Sequence, residues 1–212
     1  MAGDDTLRQA ASVIAGRDAE GLEVLVLERS AASRFLPGYL AFPGGSIDPE
    51  DLELGRRWFG SGEESGRACV VRELVEECGL AITADGVVRA SSLDLVEAAP
   101  PKADAIVEVA RWVAPERVPV RFDARYYAIH APLGIDPIAD EVETAAVWWA
   151  KPADLLDDWD TQRRRLYWPT YFTMLAVAAC GNVGDLLSLR LDTREPDDDE
   201  LERLHRSTFF QD

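Results

Sequence analysis

Length, composition and charge already exclude several classes of protein. The chain has 212 residues, of which 47% are hydrophobic and 29% are charged, as is typical of a soluble globular protein. A net charge of −17 argues against a nucleic-acid partner, since such binding requires clustered Lys and Arg. Neither a long apolar run nor an N-terminal signal pattern is present, so we expect no membrane partner and a cytoplasmic location.

Cysteine and histidine are too few and too scattered to form a zinc or thiol site. The chain has three cysteines, Cys69, Cys78 and Cys180, and two histidines, and none of them shows a ligand-like spacing. We therefore expect Cys69 and Cys78 to be packed inside or beside a helix.

The first quarter of the chain alternates strands with turns. Residues 6–15 and 21–27 predict two strands joined as a hairpin near 16–18. The segment 25–51 predicts a strand, a loop, a short strand and a turn at Gly44 and Gly45. Two adjacent glycines allow backbone carbonyls and amides to approach a metal ion or a phosphate closely. This turn is therefore a candidate part of a binding site.

Residues 63–82 predict a helix with three carboxylates on one face. At about 100° per residue, Glu73, Glu76 and Glu77 fall within an arc of roughly 100°, and Arg72 lies one turn before Glu76. Like charges at this spacing destabilise a helix unless a cation lies among them, which favours a hard divalent ion. The alternative is a solvated acidic face. The opposite face is apolar, and Gly79 is expected to end the helix.

The rest of the chain predicts further strands and helices. Strands are expected at 86–95, 106–113, 118–129 and 147–149, and helices at 152–159 and 170–180. An acidic loop, 136–143, precedes the last of these strands. Residues 191–212 are an acidic C-terminal segment, for which two alternatives remain open: a mobile tail, or an arm that packs on the partner subunit of a homodimer.

Two of these segments together resemble a known family. FPGG at 42–45 followed by REL-x-EE-x-GL at 72–80 is similar to the Nudix hydrolases, whose signature in its looser form is G-x5-E-x7-R-E-U-x2-E-x-G-U. Eighteen residues separate Gly45 from Glu64, where the signature has five. We therefore expect an insertion at about 46–62, with a short helix folded over the loop, and either Glu63 or Glu64 as the first glutamate.

A second resemblance indicates a branch of the family. Residues 25–45 are similar to an element of the coenzyme A diphosphatases, and the segments 111–132 and 167–178 resemble the Nudix 19 type, which also has an interrupted box. The resemblance implies an α/β fold, an α/β/α sandwich around a mixed β-sheet. It also implies a single domain over 1–190.

The resemblance implies a metal-dependent hydrolysis of a diphosphate linked to a nucleoside. Two or three Mg2+ or Mn2+ ions would activate a water for in-line attack. Glu76 and Glu77 would bind metal, Glu73 would bind metal or accept the proton of the water, and Arg72 would hold a glutamate by a bidentate pair. Further candidate metal ligands are the carbonyl of Gly44 or Gly45, the first box glutamate Glu64, and Glu141 or Glu143. Arg29 and Arg34 are the candidates for binding substrate phosphates.

Three functions remain open at this point. The first is hydrolysis of coenzyme A or acyl-coenzyme A. The second is hydrolysis of ADP-ribose, NADH or a dinucleoside polyphosphate. The third is a catalytically inactive Nudix domain that binds a ligand as a regulator, although the intact set of Glu73, Glu76 and Glu77 argues against it.

Overall fold

The computed structural model describes residues 7–33, 35–114, 116, 121–191, 193 and 199–200. Arg34, one of the two arginines expected to bind phosphate, lies outside the described residues. The beginning of the strand expected at 118–129 and most of the segment 191–212 lie outside them too. Within the described ranges, no helix has both the length and the apolar character needed to cross a membrane.

Among the described residues, a mixed sheet of eight strands forms the centre of the fold. The strands of the fold are β1 (Arg8–Ala19), β2 (Gly21–Arg29), β3 (Tyr39–Ala41), β4 (Gly44–Ser46), β5 (Leu80–Thr83), β6 (Gly86–Arg89), β7 (Val107–Val113), β8 (Phe122–His130), β9 (Thr144–Ala150) and β10 (Arg165–Leu166). Its main path has the order β10-β3-β2-β1-β8-β7, and β4 and β9 pair with β1 and β2, respectively. The pairs β1–β8 and β10–β3 are parallel, whereas the other pairs are antiparallel. β5 and β6 form a separate hairpin.

The first hairpin turns later than the sequence predicted. β1 continues to Ala19, which pairs with Gly21, so the expected turn at 16–18 was wrong. Gly16 lies inside the ladder opposite Val24, and a Cβ atom on it would lie 2.5 Å from Leu186. That glycine therefore serves packing, whereas Gly21, with a φ of 100°, takes the left-handed turn position.

The two glycines expected to form a turn instead form a strand. In β4, Gly44 pairs with Ser12 and Gly45 pairs with Ala11 of β1. Gly44 has a φ of 155°, and a Cβ atom there would lie 2.3 Å from the Ala11 carbonyl oxygen. A side chain has no room at this close approach of two strands. The pairing with β1 thus determines where the glycine backbone lies.

In the part of the chain that the structure describes, six helices flank the sheet. Both the helix predicted within the insertion and the acidic helix are present, and the helix predicted at 152–159 is confirmed. The strand expected at 86–95 was wrong in part, because only β6 is extended and the chain then turns into a short helix. The helices are α1 (Pro49–Phe59), α2 (Ser65–Cys78), α3 (Asp94–Ala98), α4 (Pro152–Asp160), α5 (Trp168–Ala178) and α6 (Val183–Ser188).

Helices on both faces of the sheet enclose two hydrophobic cores. Successive side chains of a strand point to opposite faces. Leu25 and Leu27 of β2 therefore join the core beneath α1 and α2, whereas Val24 and Val26 join the core beneath α4, α5 and α6. This arrangement confirms the expected α/β/α sandwich around a mixed sheet. It also places α2 against β1 and β4, so that the acidic helix faces the glycine strand.

Candidate active site

Helix α2 is enclosed by the fold along most of its surface. Its apolar residues, including Leu74 and Cys78, are fully buried in the core as predicted. Gly79, with a φ of 63°, ends the helix as expected, and its N–H donates to the Val75 carbonyl at 3.1 Å. Glu77 is only 5% exposed. The acidic face is therefore not simply a solvated surface.

Arg72 is the centre of an ion-pair network at the start of this acidic face. Its Nη1 donates to Glu73 Oε1 at 2.9 Å and to Glu76 Oε2 at 2.8 Å. Its bidentate partner is a different residue, since Nε and Nη2 donate to the two carboxylate oxygens of Asp51 at 2.9 Å each. Nη2 also donates to the Ser46 carbonyl at 3.3 Å. All five N–H donors of the guanidinium thus have an acceptor.

Glu77 lies against the glycine strand. The Gly44 N–H donates to Glu77 Oε2 at 2.8 Å. Burial and, to a smaller extent, the nearby charge of Glu73 raise the pKa of Glu77 to about 8, although the Gly44 amide and Arg29 oppose the rise. Glu77 therefore carries a buried carboxyl group with too little positive charge around it.

Glu73 fits into space that exists only because residue 45 is a glycine. A Cβ atom on Gly45 would lie 2.1 Å from Glu73 Oε1. Burial raises the pKa of Glu73 to about 7, against the opposing charge of Arg72. Glu76 differs from its two neighbours, because its side chain is 55% exposed. The three carboxylates of the stripe thus have three different environments.

A cavity of about 310 Å3 opens beside these glutamates. Glu73, Glu77, Gly44 and Gly45 line one part of it. Much of the remaining wall is aromatic, which sequence reasoning did not anticipate because the rings come from distant segments. Several rings pack on one another, for instance Trp112 and Trp168 with centroids 5.2 Å apart. The aromatic lining residues are Phe35, Tyr39, Phe42, Trp112, Phe122, Tyr126, Tyr167 and Trp168.

The acidic loop contributes Glu143 to this cavity. Glu143 lines the wall and is close enough to Glu77 to raise the pKa of its carboxyl group. Glu141, the first alternative, does not line the cavity; it is exposed and has a φ of 64°. Arg29 also lines the cavity as expected, and its Nε donates to the Phe35 carbonyl at 2.9 Å. The loop therefore offers Glu143, not Glu141, as a further carboxylate.

Glu64, the predicted first box glutamate, lies away from the cavity. Glu64 forms an ion pair with Arg67, whose guanidinium lies over the Tyr127 ring at 5.4 Å. Glu64 lies nine positions before Glu73, which along a helix corresponds to a rise of roughly 13 Å. Neither Glu63 nor Glu64 lines the cavity. Asp51, which was not predicted from the sequence, is the acidic residue preceding α2 that forms an ion pair with Arg72.

The donor set at the cavity fits a hard divalent cation. Glu73, Glu77 and Glu143 offer only oxygen ligands, and the raised pKa values of Glu73 and Glu77 indicate a deficit of positive charge. A divalent cation would supply that charge. Among the residues that the structure describes, no three His, Cys, Asp or Glu side chains already form a ligand cluster. Arg72 and the Gly44 amide engage the carboxylates instead.

Solved structures with the same fold are known. A NUDIX hydrolase from Alicyclobacillus acidocaldarius superposes with a TM-score of 0.73 and 24% identity, covering 89% of this chain and 99% of that one. The NUDIX domain of NrtR from Shewanella oneidensis, complexed with ADP ribose, gives a TM-score of 0.53 and 16% identity, covering 81% and 86%, respectively. At these identities, the likeness concerns the fold.

Comparison of sequences identifies the family. Nudix hydrolase 7 of Caenorhabditis elegans is 27% identical over 169 residues, which cover 71% of this chain and 54% of that protein. The chain thus spans about half the length of this curated relative. The NUDIX domain profile matches residues 6–168, and proteins with this domain generally use divalent metal ions. The chain therefore belongs to the Nudix hydrolase family.

Proposed function

We propose that the chain hydrolyses the diphosphate bond of a nucleoside diphosphate linked to another moiety, with Mg2+ or Mn2+ as cofactor. One observation carries the proposal: a single cavity joins the buried carboxyl group of Glu77 and the largely buried one of Glu73, whose side chain is 13% exposed, to an aromatic wall. The carboxylates suit a metal ion and the diphosphate it binds, and the aromatic wall suits the organic part of the substrate.

Each residue at the acidic end has a role in this proposal. Glu76 and Glu77 bind metal, and Glu73 binds metal or accepts the proton of the attacking water. Arg72 orients Glu73 and Glu76 and does not contact substrate. When bound, the metal lowers the pKa of a water and neutralises phosphate charge. The Gly45 carbonyl and Glu143 are additional ligands.

Coenzyme A or acyl-coenzyme A is the first substrate candidate. The resemblance of residues 25–45 to the coenzyme A diphosphatases supports this choice. The aromatic wall can contact an adenine ring or an apolar chain, and Arg29 lies close enough to Glu77 to bind a phosphate next to the metal. Arg34 is proposed as a second phosphate ligand on the resemblance alone. The expected products are phosphopantetheine and adenosine 3′,5′-bisphosphate.

A second candidate is ADP-ribose, and NADH and dinucleoside polyphosphates belong to the same group. The fold shared with an ADP-ribose-bound NUDIX domain supports ADP-ribose as a candidate substrate. A non-catalytic domain that binds such a ligand as a regulator is the third candidate. The burial of Glu73 and Glu77 argues against it, because a buried carboxylate is costly to maintain without a use.

A substrate screen tests the proposal. The purified chain is incubated with coenzyme A, acetyl-coenzyme A, ADP-ribose, NADH and diadenosine polyphosphates, each with Mg2+, Mn2+ or EDTA, and the products are identified by mass spectrometry. We expect metal-dependent cleavage of coenzyme A. A strong preference for ADP-ribose would transfer the proposal to the second candidate, and tight binding without cleavage would support the regulator.

Two variants distinguish the loss of a proposed metal ligand from the loss of an exposed negative charge. Glu77→Gln is expected to lower kcat by roughly 100-fold or more, since it removes a metal ligand. Glu53→Gln, which neutralises an exposed carboxylate on α1, is the matched control and should keep full activity. Full activity of Glu77→Gln would remove Glu77 from the proposed ligands, even if the wild type cleaves diphosphates.

A further inference from the structure

We infer that Arg165 is a specificity-determining residue, which binds a ribose phosphate that the substrate carries in addition to the cleaved diphosphate. This role rests on the proposed function, in which the cavity binds a nucleoside diphosphate. Arg165 is the last residue of a run of three arginines, 163–165, and the first residue of the edge strand β10. Substrates with such a phosphate, coenzyme A among them, therefore bind more tightly than their dephosphorylated forms.

Arg165 differs from the other two arginines of this run because it has no partner. Arg163 forms an ion pair with Asp158. Arg164 forms one with Glu28. Among the arginines that the structure describes, Arg165 alone has no hydrogen-bond, ion-pair or ring partner for its guanidinium, and its side chain is exposed. In a chain with a net charge of −17, a guanidinium without a carboxylate partner is available to an anionic ligand.

The register of β10 places the Arg165 side chain on the face of the cavity. Arg165 pairs with Tyr39 of β3 in a parallel ladder, so both side chains leave the sheet on one face. The next pair, Leu40 and Leu166, lies in the core on the opposite face, as this alternation requires. Tyr167, two residues after Arg165 in extended backbone, shares the face of Arg165. Because Tyr39 and Tyr167 line the cavity, exposed Arg165 lies at its rim.

The distance of Arg165 from the acidic end of the cavity suits a second phosphate. Arg29, the last residue of β2, and Tyr39, the first residue of β3, both line the cavity. The strands β2, β3 and β10 are consecutive neighbours in the sheet. Two strand spacings of about 4.8 Å separate the backbone of Arg29 from that of Arg165 by roughly 10 Å. Arg29 and Arg165 can therefore bind two phosphates of one substrate at the same time.

A ribose phosphate is the group that fits between these two ends. In a nucleoside diphosphate, the ribose joins the diphosphate to the base. If the diphosphate binds near Arg29 and the base contacts the aromatic wall, the ribose lies beside Tyr39. A phosphate on its 2′ or 3′ oxygen then faces Arg165, whose planar guanidinium binds a phosphate by two parallel hydrogen bonds. ADP-ribose and NADH lack this phosphate and gain nothing from Arg165.

The test compares the binding of adenosine 3′,5′-bisphosphate, adenosine 2′,5′-bisphosphate and 5′-AMP in calorimetric titrations with Mg2+. The two bisphosphates distinguish a 3′-phosphate from a 2′-phosphate. The proteins are the wild type, Arg165→Gln and the matched control Arg163→Gln, which removes an exposed arginine of the same run. We expect the wild type and Arg163→Gln to bind one bisphosphate about fivefold more tightly than 5′-AMP, as for an exposed ion pair. Arg165→Gln should bind all three ligands equally.

Steady-state kinetics with coenzyme A and 3′-dephospho-coenzyme A provide a second measurement. Arg165→Gln should raise KM for coenzyme A about fivefold, because it loses one exposed ion pair to the substrate. The KM for 3′-dephospho-coenzyme A and both kcat values should stay unchanged. Higher salt concentration should reduce the preference of the wild type for coenzyme A, since an exposed ion pair is screened.

Equal binding of all three ligands by the wild type would overturn the role of Arg165. A preference for a bisphosphate that persists in Arg165→Gln would overturn it too, and so would an equal loss in Arg163→Gln, which would indicate an effect of net charge. Because Arg165 is exposed and has no partner, its substitution should leave Tm unchanged. If the wild type cleaves no diphosphate, the proposed reaction fails, whereas the binding comparison still decides the role of Arg165.

Discussion

The buried carboxylate of Glu77 is predicted to lower the stability of the metal-free protein. Glu77 is 5% exposed, and its carboxyl group has the Gly44 N–H as a hydrogen-bond donor. Glu77→Gln removes the charge while it keeps an oxygen that accepts this hydrogen bond. The variant should therefore fold normally and lose its metal ligand at the same time, so that stability and activity change in opposite directions.

The size of the effect follows from the pKa. Burial raises the pKa of Glu77 from its ordinary value of 4.5 to about 8, which at pH 7 corresponds to about 3 kcal/mol of lost stability. Burial of the unpaired amide NH2 of Gln costs about 1 kcal/mol. The net gain is about 2 kcal/mol, which for a chain of this size raises Tm by roughly 4 to 8 °C.

The pH dependence has a definite sign. Between pH 4.5 and about pH 8, the folded wild type binds more protons at Glu77 than the unfolded chain does, so its stability falls as the pH rises. Glu77→Gln removes this contribution. In EDTA, the Tm of the variant, measured by calorimetry, should therefore exceed that of the wild type by a margin that grows across this pH range. Added Mn2+ should reduce this margin, because the metal stabilises only the wild type.

Glu76→Gln is the matched control, since the Glu76 side chain is 55% exposed and its neutralisation should change Tm little. The reasoning would be refuted if metal-free Glu77→Gln were no more stable than the wild type at pH 8. It would also fail if Glu76→Gln produced the same rise in Tm, since the effect would then reflect net charge instead of burial.

Three further substitutions test the geometry of the site. Gly45→Ala places a Cβ atom 2.1 Å from Glu73 Oε1, so we expect kcat to fall by about 10-fold or more in a steady-state assay while Tm changes little. Arg29→Gln removes a cation from the cavity wall and should raise KM for a diphosphate by roughly 10-fold with kcat nearly unchanged. Glu143→Gln should weaken Mn2+ binding in a calorimetric titration, whereas Glu141→Gln should not, because only Glu143 lines the cavity.

Much of the fold followed from local patterns in the sequence. The acidic helix, its stop at Gly79 and the helix within the insertion depend on periodicity and on residues with a special backbone conformation. The layered architecture followed from the resemblance of the sequence to the Nudix hydrolases. The first turn was placed too early, because a glycine can serve either a turn or a tight packing contact. Gly16 serves packing against Leu186, a residue far away in the sequence.

The assignment of the first acidic residue shows a similar limit. Several acids precede α2, and their spacing to the helix pointed to Glu64. The preceding acid that pairs with Arg72 is instead Asp51, because α1 packs beside α2 and its first turn lies against Arg72. Which carboxylate reaches a guanidinium depends on the path of the chain between them, and an insertion changes that path.

The acidic stripe of α2 was determined by the sequence alone, because the positions of Glu73, Glu76 and Glu77 around a helix follow from its period. The environment of each carboxylate was decided only by tertiary structure. Glu77 is buried against Gly44, Glu73 occupies the space beside Gly45, and Glu76 remains half exposed. Burial and partner charges depend on strands and loops distant in sequence, whereas the order of residues on one helix face does not.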